Sequence, residues 1–298
     1  MIIAIKSLSN HALFCYICSV ERNKAQSWKD CDEDIKHFVL DLVAMLKSEI
    51  SDNLVGIYLH GSLAMGCYYR PKSDLDVIVV VHNQLGADIA KKIGIAIAKQ
   101  AEKRPTTGNV ELSIITTDVA WNVPVPTPYE LHYSSEWHDK ALKGDIEYDS
   151  SKTDIDLLSH LMYVRQRGVI LGGKPIQEVF GVYDWQYFMD AVIDDFEWIL
   201  ESENIVETPF YGVLNICRVL QLLSGDSQTV HSKAEGGEWG LNNLPSEFHS
   251  LVQKALDVYR SPDDVSEAQR RTGGLEWNKD ELLALRDYAK KARNQTVK

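Results

Sequence analysis

A Gly-Ser pair and three acidic residues stand at a spacing that could support phosphate chemistry. Gly61-Ser62 is followed by eleven residues and then by Asp74-Leu75-Asp76, and Glu111 stands in a later apolar run. Alternate side chains of an extended strand share one face, so Asp74 and Asp76 would project together, about 7 Å apart along the chain. Two carboxylates on one face of a buried strand require a cation, and Mg²⁺ prefers carboxylate and phosphate oxygens.

The Gly61-Ser62 pair supplies a complementary feature. It follows the apolar run LVGIYLH, which is rich in β-formers, and stands where a helix would begin. Backbone N–H groups and a hydroxyl at such a turn can bind phosphate oxygens, because glycine leaves the backbone accessible. The pair and the aspartates together therefore predict a site for nucleotide phosphates and a metal.

Hydrophobic periodicity shows which elements must position these residues. Strands are predicted over 54–60, 74–81 and 110–116, and helices over 31–50 and 87–103. Pro124, Pro126 and Pro128 then mark an extended connector. Helical periodicity predominates beyond residue 150, over 154–171, 185–202, 208–225, 247–261 and 280–294.

These elements predict an α/β domain, a small mixed sheet with helices, followed by an all-α C-terminal helical bundle domain. We expect the first domain over 31–150 and the second over 151–298, with residues 1–30 as an extension without an assigned role. The cleft between two such domains is the expected location of a ligand site.

Composition restricts the class of ligand. The 298 residues include 31 Lys+Arg and 43 Asp+Glu, a formal net charge of −12. Nucleic-acid binders gain affinity from clustered basic residues, so we expect no nucleic-acid partner. A cationic small molecule fits this charge better.

Cysteine content and hydropathy address the compartment. The five cysteines are few, scattered and odd in number, which argues against a disulfide framework and indicates a reducing compartment. We interpret Cys15-x-x-Cys18 as incidental cysteines, because no second pair accompanies it. The first twenty residues lack a basic n-region, and no run reaches the roughly 18 apolar residues of a membrane span. We therefore expect a cytoplasmic protein without membrane association.

A segment without basic residues offers a separate indication of the ligand. Between Pro175 and Cys217 there are nine acids and no Lys or Arg. Positions 190, 194, 197 and 201 form one helical stripe, opposite an apolar one. Such a stripe is either a solvent-exposed face or a wall facing a cationic substrate.

The Gly-Ser and Asp-x-Asp residues resemble the signature of the nucleotidyltransferase superfamily, and HGSLAMGCYYRPKSDLDVIVVV and NVELSIIT carry the similarity. The sequence is further similar to the aminoglycoside adenylyltransferases that modify streptomycin and spectinomycin. The second domain of that family is matched by Glu136-Trp137, YGVLNICRVLQLLSG, SKAEGGEWGL and LDVYR. The resemblance covers roughly residues 35 to 270.

The resemblance implies a set of site residues. Asp74 and Asp76 would bind the metal ions, expected to be two Mg²⁺, and Glu111 would be the general base that contacts the substrate hydroxyl. The remaining carried-over residues fall into two groups. Nucleotide binding is implied for Gly61, Ser62, Ser73, Arg218, Lys233 and Tyr259. Antibiotic binding is implied for Trp137.

The resemblance implies transfer of AMP from ATP to a hydroxyl of an aminoglycoside or aminocyclitol, spectinomycin or streptomycin or both, by a monomeric enzyme. Two alternatives stay open. The first domain fixes the chemistry but not the acceptor, so the acceptor could be another small molecule or a protein. A nucleotide-binding module without turnover would carry the same residues.

Overall fold

The computed structural model describes residues 24–148, 152–225 and 227–296. Cys15, Cys18 and most of the predicted extension lie outside the described residues. The first half contains helices and strands in alternation. They are α1 Glu33–Ile50, β1 Leu54–His60, α2 Gly61–Met65, β2 Leu75–Val81, α3 Ala87–Ala101, β3 Val110–Thr116, α4 Thr117–Trp121, β4 Thr127–Pro128, β5 Leu131–Tyr133 and α5 His138–Lys143.

The second half is mainly helical, with two further strands. Its elements are β6 Thr153–Asp154, α6 Leu157–Arg167, β7 Val169–Gly173, α7 Ile176–Val179, α8 Trp185–Leu200, α9 Asn204–Glu207, α10 Pro209–Ser224, α11 Lys233–Asn243, α12 His249–Arg260 and α13 Lys279–Thr296. The mixed α/β and helical fold class predicted from the sequence is confirmed.

A five-stranded sheet in the described residues has the order β5-β3-β2-β1-β7. β2 and β3 are parallel, whereas β1 runs antiparallel to both β2 and β7, and β5 is antiparallel to β3. The alternating side chains of the central strands enter two cores. One face packs on α1 and α3, and the other packs on α6. The strands are therefore buried on both sides, which explains their nearly continuous apolar sequences.

The predicted helix over 154–171 is wrong at its C-terminal end. The helix stops at Arg167, and Val169–Gly173 forms an edge strand that pairs with β1. Periodicity over a short apolar run does not distinguish a helix from a strand, and here the free edge of β1 decides the outcome. The sheet therefore extends beyond the predicted domain boundary at residue 150.

The helical half packs around α10, whose apolar residues are buried among α8, α11, α12 and α13. Helix α11 was not predicted, because its sequence KAEGGEWG contains glycines that lower helix propensity. Ser232 and Glu235 form a capping box that begins this helix. A Cβ on Gly236 would lie 2.7 Å from the backbone of Arg218, so the glycine permits close contact between α10 and α11.

None of the helices in the described part of the chain is both long enough and apolar enough to cross a membrane.

Candidate active site

A polar cavity of about 280 Å³ opens between the sheet and the helical half. Most of the site residues predicted from the sequence line it. They are Gly61, Ser62, Ser73, Asp74, Asp76, Glu111, Arg218, Lys233 and Tyr259. Residues separated by up to 198 positions therefore meet in one place, with acids from the sheet and basic residues from the helical half.

Strand register brings the central acids together. Asp76 pairs with Glu111 across the parallel β2 and β3 strands, and with His60 across the antiparallel β1 and β2 strands. Laterally paired residues of a sheet project on the same face, so the two carboxylates are neighbours. The backbone ladder holds them together although like charges repel.

Gly61 allows this arrangement at the end of β1. Its φ is +63°, and a Cβ at this position would lie 1.8 Å from Oδ2 of Asp76. Glycine adopts this left-handed conformation without steric cost, and its lack of a side chain leaves room for the carboxylate. The Gly-Ser pair thus positions an acid in addition to beginning α2.

Gly61→Ala is expected to destabilise the protein and displace Asp76. The left-handed backbone alone costs about 1–2 kcal/mol for alanine, and the overlap with the carboxylate adds to this. Urea unfolding would measure the loss. Gly86→Ala is the matched control, because nothing lies within 4 Å of a Cβ there. Equal stability of the two variants would contradict this account.

Asp76 has an unusual protonation equilibrium. Burial, followed by repulsion from Glu111 and Asp74, raises its pKa to about 8. His160, also at the cavity, has a raised pKa; burial opposes its charge, but the carboxylates of Glu111 and Asp156 outweigh this. The carboxylates at the floor of the cavity therefore create a negative electrostatic potential, which favours a cationic ligand.

The raised pKa predicts a pH-dependent stability. Between pH 3.8, the ordinary pKa of an aspartate, and pH about 8, the native state retains a proton on Asp76 that the unfolded state has released. The free energy of unfolding therefore decreases as the pH rises through this range. With a chelator present, Asp76→Asn should raise the Tm at pH 8 and have little effect at pH 4.

Thermal unfolding of wild type and variant at the two pH values measures this difference. The exposed Asp41→Asn is the control, and it should shift the Tm equally at both. A variant that is less stable than wild type at pH 8 would contradict the assignment.

One carboxylate oxygen of Asp74, Oδ1, accepts two hydrogen bonds. The backbone N–H of Asn109 donates to Oδ1 at 2.6 Å, and the guanidinium of Arg270 donates to the same oxygen. Arg270 belongs to the segment between α12 and α13, residues 261–278, which also contacts the sheet half at two other points. Lys72 Nζ donates to the carbonyl of Asp263 at 2.6 Å, and Thr107 Oγ1 donates to Asp264 at 2.9 Å.

Hydroxyl groups and basic residues surround the acids. Ser73 Oγ lies 3.3 Å from the hydroxyl of the buried Tyr259, which also donates to the carbonyl of Cys67. Ser62 Oγ is buried and has no hydrogen-bond partner. Two basic residues from the helical half complete the group: Arg218 donates to the Tyr163 hydroxyl at 3.0 Å, and Lys233 Nζ lies 5.1 Å from the ring centroid of Tyr211. The unpartnered hydroxyl and these cations could bind phosphate oxygens.

Trp137 is not brought to this cavity. Its side chain is 40% exposed, and Lys140 Nζ lies 4.9 Å from its ring centroid. The adjoining Glu136 lines a second, outer cavity of about 820 Å³, together with Trp198, Tyr211, Lys233 and Arg270. The antibiotic contact that the resemblance implies for Trp137 stays a prediction.

The acidic stripe of α8 faces away from the cavity. Asp190, Asp194 and Glu201 are exposed, and Glu197 pairs with Arg293 of α13 at 2.5 Å. Of the two interpretations that the sequence left open, the structure supports a solvent-exposed face and not a wall of the cavity. The acid of α8 that lines the cavity is Asp195, adjacent to the stripe.

Several cavity residues were missed by sequence reasoning, among them Asp156, His160, Tyr211, Asn215 and Arg270. A second Asp-x-Asp pair, Asp154-Ile155-Asp156, was visible in the sequence and could have been examined by the criterion used for Asp74. The others gave no signal, because a single Asn or Arg in a helix or turn has no distinctive pattern.

The carboxylates of the cavity are candidate ligands for a divalent cation. Among the described residues, no group of three or more His, Cys, Asp or Glu side chains is arranged to hold a metal. Asp74 and Asp76 nevertheless offer hard oxygen ligands, and Mg²⁺ typically uses one or two carboxylates together with substrate phosphates. The residues therefore fit a metal that arrives with a nucleotide.

Residues 178–291 match the family model "Aminoglycoside adenylyltransferase, C-terminal domain". Most of the helical half is therefore similar to this domain. No curated protein matches the sequence. The resemblance to the aminoglycoside nucleotidyltransferases is thus confirmed for this part of the chain.

Two solved structures align with most of the chain. Spectinomycin adenyltransferase AAD(9) from Enterococcus faecialis, solved with ATP and spectinomycin, has a TM-score of 0.69 at 19% identity, covering 86% of this chain and 98% of that one. The CdnE cyclic dinucleotide synthase of Elizabethkingia meningoseptica, solved with GTP and Apcpp, has a TM-score of 0.30 at 11% identity, with coverages of 94% and 97%. The first match shows that this chain has the fold of an aminoglycoside nucleotidyltransferase.

Proposed function

We propose that this protein is an ATP- and Mg²⁺-dependent adenylyltransferase that transfers AMP to a hydroxyl of an aminoglycoside or aminocyclitol and releases pyrophosphate. The observation that carries the proposal is the meeting of Asp76 and Glu111, on paired strands, with Arg218 and Lys233 from the adenylyltransferase-type helical domain. Carboxylates that could bind a metal and accept a proton therefore line the same cavity as basic side chains that could bind phosphate oxygens.

The reaction assigns a task to each group. The acceptor hydroxyl forms a bond to the α-phosphorus, and the bond from that phosphorus to pyrophosphate breaks in line. Glu111 accepts the hydroxyl proton, which requires an approach of about 3 Å in the complex. Arg218 and Lys233 stabilise charge that develops on the phosphate oxygens.

Asp74 and Asp76 would hold the metal in this complex. Bound there, Mg²⁺ supplies Lewis-acid stabilisation of the phosphate oxygens. Ser62 and the N–H groups of the Gly61 turn would contact the triphosphate, as would Ser73 beside Tyr259. The unpartnered Ser62 hydroxyl supports this assignment, because buried polar groups normally have a partner.

Spectinomycin is the first acceptor to test, since the structural neighbour with a TM-score of 0.69 was solved with it. Streptomycin remains a second candidate. We further propose that the protein acts as a monomer in the cytoplasm, where few, scattered cysteines remain reduced.

Pyrophosphate release with ATP and Mg²⁺ tests the function directly. The purified protein should release pyrophosphate with spectinomycin, and release with streptomycin and kanamycin would define its range. Asp76→Asn should abolish release in the same assay while remaining folded, because it removes a metal ligand. The exposed Asp41→Asn is the control for loss of charge.

Undiminished turnover by Asp76→Asn would overturn the mechanism. ATP binding without pyrophosphate release from any drug would overturn the acceptor class and leave the nucleotide site in place.

The contact between Arg270 and Asp74 yields a separate prediction. In the absence of nucleotide, this guanidinium competes with a cation for the Asp74 carboxylate. Arg270→Gln should therefore bind Mn²⁺ several-fold more tightly than wild type, measured by electron paramagnetic resonance. Arg271→Gln, which removes the same charge from the adjacent position, should have the smaller effect. Weaker Mn²⁺ binding by Arg270→Gln would show that the arginine supports the metal site instead.

A further inference from the structure

The wall of the inner cavity that faces Glu111 carries a second group of acids. Asp156, at the start of α6, and Asp195, on α8, both line the cavity. The hydroxyl of Tyr211 lies 3.3 Å and 3.4 Å from the two carboxylate oxygens of Asp195 and donates to them. Neither acid belongs to the metal and base group formed by Asp74, Asp76 and Glu111.

Asp156 interacts electrostatically with both groups. Burial, and then repulsion from Asp195 and Glu111 that the attraction of His160 only partly offsets, raises its pKa to about 6. His160, one helical turn further along α6, is the cationic group that interacts with both Asp156 and Glu111. Asp156, Asp195 and Glu111 line one cavity, so a ligand held by the two aspartates would share that cavity with Glu111.

Asn215 gives an independent indication that this wall binds a ligand. The residue is completely buried in α10 and borders the same cavity. Both of its amide atoms, Oδ1 and Nδ2, lack a hydrogen-bond partner. An unpartnered buried amide is costly for the folded protein, so it is expected where a ligand supplies the missing partners.

We infer that Asp195, Asp156 and Asn215 form the subsite that holds an ammonium group of the acceptor beside Glu111. This inference rests on the proposed function and names the residues that recognise its substrate class. A protonated amine has two or three N–H donors, which the two carboxylates and the amide oxygen can accept. The Nδ2 of Asn215 then donates to a neighbouring hydroxyl, and aminocyclitols carry amines and hydroxyls on adjacent carbons.

The subsite also accounts for the position of the reacting hydroxyl. An ammonium anchored at Asp195 and Asp156 places the rest of the ring toward Glu111, which must accept the proton. Tyr211 orients the Asp195 carboxylate through its hydrogen bond and does not need to touch the acceptor. The aromatic face of Tyr211 meanwhile contacts Lys233, so one side chain links the acceptor subsite with the phosphate-binding cation.

Steady-state pyrophosphate release with spectinomycin as the probe tests the inference. Asp195→Asn keeps the shape of the side chain and removes its charge. We expect its KM for spectinomycin to rise about tenfold to a hundredfold, the usual effect of losing a hydrogen bond to a charged group. ATP affinity, measured by calorimetry, should change much less than this KM, because Asp195 would contact the acceptor directly and the phosphates only through its electrostatic interaction with Arg218.

Asp194→Asn is the matched control. It removes the same charge from the neighbouring residue of the same helix, but its side chain faces solvent. Its KM for spectinomycin should equal that of the wild type. N-acylated spectinomycin, which lacks the cationic amines, should show no difference between wild type and Asp195→Asn.

Asn215→Leu separates binding from structure. Leucine has a similar volume and no polar atoms, so this variant should raise the Tm while increasing the KM for spectinomycin. A residue with a merely structural role would instead lose stability on substitution. A lowered Tm would contradict the assignment of Asn215.

The outcomes distinguish this inference from the proposed function. An active wild type whose KM is unchanged in Asp195→Asn, or equally raised in Asp194→Asn, would overturn the subsite alone. If the wild type binds spectinomycin in calorimetry without turnover, the same variants are compared by their dissociation constants. Failure of the wild type to bind either spectinomycin or streptomycin would overturn the subsite together with the acceptor class.

Discussion

Negative charge concentrated at one end of a sheet is the constraint around which the rest of this structure is built. Asp76 and Glu111 lie side by side because β2 and β3 are hydrogen-bonded in a fixed register. The carboxylates cannot separate without breaking that ladder, so their repulsion appears instead as the raised pKa of Asp76. Such a site is costly for the folded protein and favourable for a cationic ligand.

The helical half supplies the charges that the sheet lacks. Arg218 and Lys233 enter the cavity from α10 and α11, and the close approach of these helices depends on Gly236. Arg270 reaches Asp74 from a segment that also contacts Lys72 and Thr107. The two halves are therefore linked by polar contacts at the site itself.

Several polar groups around the cavity lower the stability of the folded protein. The Ser62 hydroxyl and the Asn215 amide are buried without partners, and the Asp76 carboxylate retains a proton well above its ordinary range. Each of these groups borders the same cavity. Unsatisfied groups of this kind, concentrated in one place, are more informative about function than the well-packed cores on either side of the sheet.

The sequence alone determined the parts that depend on local patterns. Strands β1, β2 and β3 and helix α1 follow from apolar periodicity, and the spacing of Gly61-Ser62 and Asp74-x-Asp76 predicted that these residues meet in one site, as they do. Only the tertiary structure decided that Val169–Gly173 is an edge strand, because its partner β1 lies more than a hundred residues earlier. The tertiary structure also decided that Asp195, and not the acidic stripe beside it, enters the cavity. Helix packing fixes which face points inward, and periodicity cannot resolve two adjacent acids at the border of that face.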